Sequence, residues 1–377
     1  MNENTFFFRV GHTDFNHKKQ MIIAELGTSH NADMPKAKEM INAACEAGAD
    51  CVKFQMVIAD EILHPNTGEV ALPGGRIKLY DRFKSLEAPA EFYAEIKEYT
   101  ETKGLIFLCT PFGHKSALIL REIGQKLMKI ASPELNFTSL LEKIASFHLP
   151  VLLSSGVSRL SDIEKAVDIL KKDEKTGGNG NICLLHCVTS YPAPAADYNL
   201  RALPNLAAIF GIPVGVSDHS SDPQLVPALS VSMGACVIEK HFCLSKKENG
   251  LDDPIALEPH EFSQMVKAVR KAAENGADET IAAYKKERSD ALIEKILGDG
   301  VKTLAPSEKE NYTRTNRSIH AMRDIAKGEI IKKCDYAVLR TEKNLRPGLE
   351  PCWENNIEGR TARNNIPAGE GIRFEDV

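Results

Sequence analysis

The stretch PVGVSDHSSDPQLVPALSVSMGACVIEKHF, Pro213 to Phe242, sets in succession a β-branched run, an amphipathic segment from Pro223 to Met233 and a second apolar run, CVIEKH from Cys236. A strand, a helix and a strand in so short a span predict a parallel pair joined by a crossover helix. Each run closes on polar residues, Ser217, Asp218 and His219 in the first and Glu239, Lys240 and His241 in the second. The same alternation recurs upstream. MIIAEL from Met21, CVKFQM from Cys51, LIFLCT from Leu105, LMKIAS from Leu127, PVLLSS from Pro150 and ICLLHC from Ile182 bring the strand candidates to eight, with helical segments such as Lys36 to Ala47, Ala90 to Lys103 and Leu160 to Lys171 between them. Eight strand–helix units predict an α/β fold, a closed (β/α)8 TIM barrel whose last helix is Pro259 to Glu274. An open doubly wound sheet competes, but no GxGxxG follows the first run.

A barrel needs roughly 250 residues, so a chain of 377 residues and 41.5 kDa leaves length for one small module. The surplus lies at the C-terminal end. RSIHAMRDIAKGEII (Arg317 to Ile331) and GRTARNNIPAGEGI (Gly359 to Ile372) repeat a basic residue, Asp or Asn, Ile and Gly-Glu, which suggests a pseudo-symmetric, β-rich unit with turn glycines. The expected division is a catalytic barrel at 1–285, a charged linker at 286–311 and a small β domain at 312–377.

Composition excludes several classes. With 43% hydrophobic and 26% charged residues the chain is neither disordered nor fibrous. No apolar run is long enough to span a bilayer, and MNENTFFFRVGHTDF lacks the basic start of a signal peptide, so a cytoplasmic protein without a membrane partner is expected. Nine cysteines without a CxxC pair argue against a disulfide framework or a zinc ribbon. The net charge of −5 lies in the first part, because Pro306 onward holds 13 Lys/Arg against 12 Asp/Glu. No nucleic-acid partner is indicated, and any anion must be held by local donors.

In a TIM barrel the reactive groups stand at the C-terminal ends of the strands. Lys53, Gln55, Lys129 and Lys240 interrupt apolar runs, where a lysine is costly without a partner. Together with Thr110, Ser132 and Ser154 they form an anion cradle if they converge; otherwise the lysines are structural pairs of Glu25 or Glu239. His219 and His241 end neighbouring strands, so their imidazoles could share one divalent metal in an open sphere suited to a Lewis acid. Glu134 lies two residues past Ser132, where a carboxylate serves proton transfer or developing positive charge, or else pairs with Lys129 or Lys53. Cys183, His186 and Cys187 make a poor cluster, because His186 and Cys187 face opposite ways along a strand; the role of His186 stays open.

ELGTSHNAD, GADCVKFQ, CTPF, KIASPEL, LLSSGVS, LLHCVTSYPAPAADYNL, VGVSDHS, GACVIEKHF and GLDDPIALEP, in this order, resemble the sialic acid synthase family of nonulosonate synthases, and the terminal segment resembles its antifreeze-like SAF domain. The resemblance implies condensation of phosphoenolpyruvate with an open-chain N-acylated hexosamine, N-acetylmannosamine in the best-known case, to a nine-carbon 2-keto acid and phosphate. It implies a phosphoenolpyruvate set of Lys53, Thr110, Lys129, Ser132, Ser154 and Ser217, a sugar side of Gln55, Tyr191 and Asp252, a metal (manganese first, magnesium or cobalt otherwise) on His219 and His241, and Glu134 near the reacting carbons, with Lys53 as the second catalytic candidate. It further implies a domain-swapped homodimer in which the partner's SAF domain closes the mouth and offers Arg317 to the N-acyl group; the alternative for Arg317 is a surface ion pair.

Gly113, Pro133, Ala256 and Ser29 depart from residues frequent in relatives and put the sugar in doubt. N-acetylneuraminate synthase is the first expectation. Legionaminate or pseudaminate synthase acting on a 2,4-diacetamido-6-deoxy sugar is the alternative, decided by loops such as His64 to Tyr80. A silent glycan-binding barrel and a Schiff-base aldolase are the rivals from other classes.

Overall fold

Side chains of a strand alternate between its faces, and the computed structural model, which describes residues 6–72, 75–172, 180–248, 250–342 and 344–377, closes that alternation into a barrel. Its strands are β1 (Met21–Gly27), β2 (Cys51–Met56), β3 (Ile106–Pro111), β4 (Met128–Ile130), β5 (Val151–Ser154), β6 (Ile182–Cys187), β7 (Val214–Asp218) and β8 (Val237–His241). They pair in parallel in the order β3-β2-β1-β8-β7-β6-β5-β4, and β3 lies against β4 to complete the ring.

Between strands run α1 (Met34–Glu46), α2 (Ala90–Thr102), α3 (His114–Glu122), α4 (Thr138–Ala145), α5 (Leu160–Lys171), α6 (Ala202–Phe210) and α7 (Leu225–Ser232), and α8 (Pro259–Asn275) follows β8. Local chemistry starts these helices. The Asp33 side chain accepts from the Lys36 backbone N–H at 2.8 Å, and Pro259 opens α8 where its missing N–H costs nothing. The outer strand faces pack on the helices through residues such as Ile22, Val52, Phe107 and Ile238.

The lower interior is a separate apolar plug of Met21, Ile23, Cys51, Leu108, Leu152 and Val237. It is sealed from below by an antiparallel pair, Phe8–Val10 with Thr13–Phe15, whose Phe8, Val10 and Phe15 are buried. The polar inward positions therefore collect at the opposite end.

Helices α9 (Ala277–Glu287) and α10 (Asp290–Leu297) continue on the barrel, and the Leu200 and Arg201 backbone N–H groups donate to the carbonyls of Ile296 and Leu297. The chain then crosses the mouth. Glu308 is buried, and its Oε1 accepts from the backbone N–H groups of Val157 and Thr189, both at 2.7 Å.

The terminal domain pairs β9 (Arg317–Ala321) with β10 (Tyr336–Arg340) in antiparallel register, Arg317 opposite Arg340. Its two sequence repeats face each other. Ile325 and Ile366, equivalent in the repeats, exchange backbone hydrogen bonds at 2.9 Å, Gly328 donates to Ala362 and Gly369 to Ala321. Gly328 and Gly369 both have φ +91°, a conformation that favours glycine. The domain rests on the mouth of its own barrel, with the Arg340 N–H donating to the Ile62 carbonyl at 2.9 Å.

Candidate active site

Inward parity brings Glu25, Lys53, Gln55, Thr110, Lys129, Ser154, Ser217, Glu239 and His241 to the upper interior. Lys53 Nζ lies 3.1 Å from Glu25 Oε2 and 2.9 Å from Glu239 Oε1. Ser217 Oγ donates to Glu239 Oε1 at 2.9 Å, Lys129 Nζ donates to Ser154 Oγ at 2.6 Å, and Gln55 Nε2 donates to Glu25 Oε1 at 2.7 Å. Convergence and ion pairing are thus realised together: the lysines meet, and Glu25 and Glu239 balance them. Those two carboxylates were visible only as pairing partners in the sequence, yet they lie at the centre of the network.

Burial alone would raise the Glu239 carboxyl, but Lys129 and Lys53 hold it at about 2. Glu25 is pushed up to about 7 by burial, against the opposing charge of Lys53. Burial lowers Lys129 to about 8, with Glu239 resisting. Lys53 is raised: burial opposes this, and Glu239 and Glu25 outweigh it.

Two further observations mark this space as built for a polar guest. Thr110 Oγ1 is buried without a hydrogen-bond partner among the described residues, which is costly unless a ligand supplies one. Ser132 Oγ accepts from the Gly156 N–H at 3.0 Å, and a side chain at 156 would collide with the Thr189 and Ser132 hydroxyl oxygens, at 2.0 and 2.8 Å from its Cβ.

Lys240 does not join the cradle. It faces outward with Asp218, its Nζ 2.6 Å from Asp218 Oδ2 and both side chains without exposure, because it follows Glu239 by one residue on a strand of period two. His186 also faces outward; its Nε2 contacts the Tyr198 carbonyl and its Nδ1 has no partner among the described residues. Burial and Lys302 hold it down to about 3.

The rings of His219 and His241 lie 5.4 Å apart. His219 Nδ1 is 2.8 Å from the Val188 carbonyl, so it donates there, and in the neutral ring Nε2 carries the lone pair. The Tyr191 ring lies 4.4 Å from that of His219, Asp252 Oδ2 is 3.7 Å from His241 Nδ1, and Gln55 and Asp252 both approach Gly27. Among the described residues no group of three or more His, Cys, Asp or Glu side chains is placed to hold a metal.

Glu134 is fully buried and pairs with neither Lys129 nor Lys53. Its Oε1 accepts from Arg317 Nε at 3.0 Å and from Arg340 Nη2 at 2.8 Å, while Oε2 has no hydrogen-bond partner among the described residues. Arg317 is buried rather than superficial. Arg340 was not foreseen; the only sign of it is its place at the end of YAVLR.

Residues 40–280 match the NeuB family and residues 316–377 the SAF domain. The chain belongs to the NeuB family. It is 36% identical to the spore coat polysaccharide biosynthesis protein SpsE of Bacillus subtilis over 94% of this chain and 93% of that one. The crystal structure of SpsE superposes with a TM-score of 0.81 over 98% of this chain and 99% of the other. The N,N'-diacetyllegionaminic acid synthase of Legionella pneumophila is 34% identical over 94% of both chains, and the human N-acetylneuraminate-9-phosphate synthase 30% over 82% of this chain and 80% of its own. The two synthases among these relatives are of the class that the motifs indicated, and this NeuB chain is an enzyme of the nonulosonate synthase class. No helix among the described residues is long and apolar enough to cross a membrane.

Proposed function

We propose that the enzyme condenses phosphoenolpyruvate with the open-chain form of an N-acylated hexosamine, giving a nine-carbon 2-keto acid and phosphate. The carrying observation is the buried set in which Lys53 and Lys129 converge with Ser154, Ser217 and the unpartnered Thr110 hydroxyl around Glu239. Lysines and hydroxyls suit a phosphate and a carboxylate, and Ser132 extends the set toward Glu134.

His219 and His241 would hold a divalent metal, manganese first and magnesium or cobalt otherwise, which supplies Lewis-acid polarisation of the sugar aldehyde. The donor set fits: two imidazoles, one of them oriented by the Val188 carbonyl. Tyr191 and Asp252 lie against those rings, Gln55 and Asp252 both approach Gly27, and the three would orient the sugar. C3 of phosphoenolpyruvate then attacks the aldehyde carbon, water adds at C2, and phosphate leaves with cleavage of its C–O bond. Glu134 faces the positive charge that develops at C2.

For the sugar, N-acetylmannosamine competes with the 2,4-diacetamido-6-deoxy sugars of legionaminate and pseudaminate synthesis. Higher identity over more of the chain to the Legionella synthase than to the human one supports the diacetamido sugar. The sugar-side hairpin Glu69–Leu72 with Gly75–Lys78 is formed, while Pro73 and Gly74 of LPGGRIKLY lie outside the described residues. Phosphate release measured with phosphoenolpyruvate, manganese and each sugar should give the highest kcat/KM with a diacetamido substrate. A maximum with N-acetylmannosamine would reverse that order, and no release with any of them would refute the synthase reading.

Lys129 also sets a pH dependence. It is a cation below about pH 8 and loses its charge above it, and a bound anion favours the charged form. Affinity for phosphoenolpyruvate should therefore be flat below that value and fall toward about tenfold per pH unit above it. Titration calorimetry from about pH 7 to about pH 9.5 checks this, with Lys129→Met as the pH-insensitive control; an unchanged affinity across the range would remove Lys129 from the anion site.

A further inference from the structure

Two residues at the barrel mouth take their backbone hydrogen bonds from the connector. Val157 lies just past β5 and Thr189 just past β6. Val157 donates its N–H to Glu308 Oε1 at 2.7 Å and accepts at its carbonyl from Asn316 Nδ2 at 3.1 Å. Thr189 donates its N–H to the same oxygen at 2.7 Å and accepts from Asn311 Nδ2 at 3.2 Å. Side chains of one short stretch thus satisfy both backbone groups of two buried residues on different strands, where an unpaired group would be costly. Glu308 is the shared member. It is fully buried, and its Oε2 closes its own turn on the Ala305 N–H at 3.2 Å. A carboxylate is expensive to bury unless donors answer it, and here the donors are backbone N–H groups from two barrel loops and the connector.

What this carboxylate holds is strained on one side and functional on both. Val157 has φ +43°, a left-handed conformation that a β-branched residue adopts only where its surroundings impose it. The peptide group before it is fixed at both ends, the Gly156 carbonyl accepting from Ser158 Oγ at 2.8 Å and the Val157 N–H bound to Glu308. Gly156 in turn donates its own N–H to Ser132 Oγ at 3.0 Å, and the neighbouring Ser154 accepts from Lys129. On the other strand, the Thr189 N–H belongs to the same peptide group as the Val188 carbonyl, which orients His219 through Nδ1.

We propose that Glu308 is a positioning residue for the condensation: its one carboxylate fixes the Gly156–Val157 peptide behind the anion set and the Val188–Thr189 peptide behind His219, and so keeps the two halves of the site in register. This rests on the synthase reading above.

The test uses the full-length enzyme and two binding constants, phosphoenolpyruvate by titration calorimetry and manganese by paramagnetic resonance. Glu308→Ala orphans both N–H groups and frees Val157 to leave the left-handed region. Phosphoenolpyruvate affinity should fall about 10- to 100-fold, in proportion to the fraction of molecules that keep the loop. Manganese affinity should fall about tenfold or more, as for loss of a group that orients a ligand. Glu308→Gln, whose amide oxygen can still accept from both N–H groups, should lose less of each; where Glu308→Ala does not fold, the comparison is made on this variant. Glycine adopts the left-handed turn freely. Val157→Gly added to the Glu308 variant should therefore return most of the phosphoenolpyruvate affinity and none of the manganese affinity, a division that general loosening of the mouth would not produce. Affinities within about threefold of the unmodified enzyme, or a loss that Val157→Gly relieves for both ligands or for neither, overturn the assignment while leaving the synthase reading intact. No manganese uptake by the unmodified enzyme overturns the His219 half of the assignment. Absence of turnover by the unmodified enzyme with every N-acylated sugar overturns the synthase reading and this assignment with it.

Discussion

Glu134→Gln is expected to bind phosphoenolpyruvate within about threefold of the unmodified enzyme and to lower kcat by about 10²- to 10⁴-fold. The side chain is isosteric, and the amide oxygen can still accept from Arg317 and Arg340. The negative charge is lost, however, where it meets two guanidiniums and where the proposed mechanism develops a cation at C2. The substitution has a second consequence. Removing the charge from a buried ion pair is strongly destabilising, of the order of 3–5 kcal/mol, and here the pair joins the lid to the barrel across 183 residues of sequence. Glu134→Gln should therefore also loosen the SAF domain, seen as faster proteolysis after Pro306 or an earlier thermal transition. Glu134→Asp separates the two effects: it keeps the charge, so the lid should stay docked, while the shorter side chain misplaces the carboxylate and turnover still falls. Normal turnover in Glu134→Gln would take the residue out of the mechanism, and normal lid stability would take it out of the latch.

What the sequence could show follows from the range of each interaction. Parity along a strand is local, so the inward set Glu25, Lys53, Gln55, Glu239 and His241 was implicit in the eight runs, and so was the exclusion of Lys240, which shares a strand with Glu239 and His241 but not their face. The β-rich repeat was likewise local, and its two copies pair through equivalent residues. Arg340 was different. It matters because hairpin register sets it opposite Arg317 and the lid sets both on Glu134, the second contact spanning 206 residues. No periodicity encodes a distance of that kind. The same holds for Glu308, whose carboxylate satisfies two backbone N–H groups of the barrel mouth from a stretch that reads only as charged connector. The opening FFFRV had no assigned role until the lower end of the barrel was seen to need Phe8 as its floor.

Metal removal is expected to have an effect of similar size, and its argument turns on how little protein holds the ion. Among the described residues no third carboxylate or thiolate ligand joins the two imidazoles, so a metal held by them would take its other ligands from water and substrate. Such a site should lose its metal readily, so dialysis against chelator should abolish phosphate release and added manganese should restore it. Polarisation of a carbonyl contributes several kcal/mol to the transition state, which corresponds to about 10²- to 10⁴-fold in rate. His241→Ala should reproduce the loss and should not be rescued by manganese. Binding itself supplies the independent readout: the unmodified enzyme should take up one equivalent of manganese by paramagnetic resonance, and His219→Ala and His241→Ala should each fail to do so while still binding phosphoenolpyruvate through Lys53 and Lys129. Val188 gives a finer test, because its carbonyl orients His219 through Nδ1; His219→Gln offers an oxygen ligand without that anchor and should bind the ion weakly. Full activity in chelator, or equal manganese uptake by the two alanine variants, would leave the imidazole pair as structural residues and return polarisation of the aldehyde to the cations of the barrel and lid.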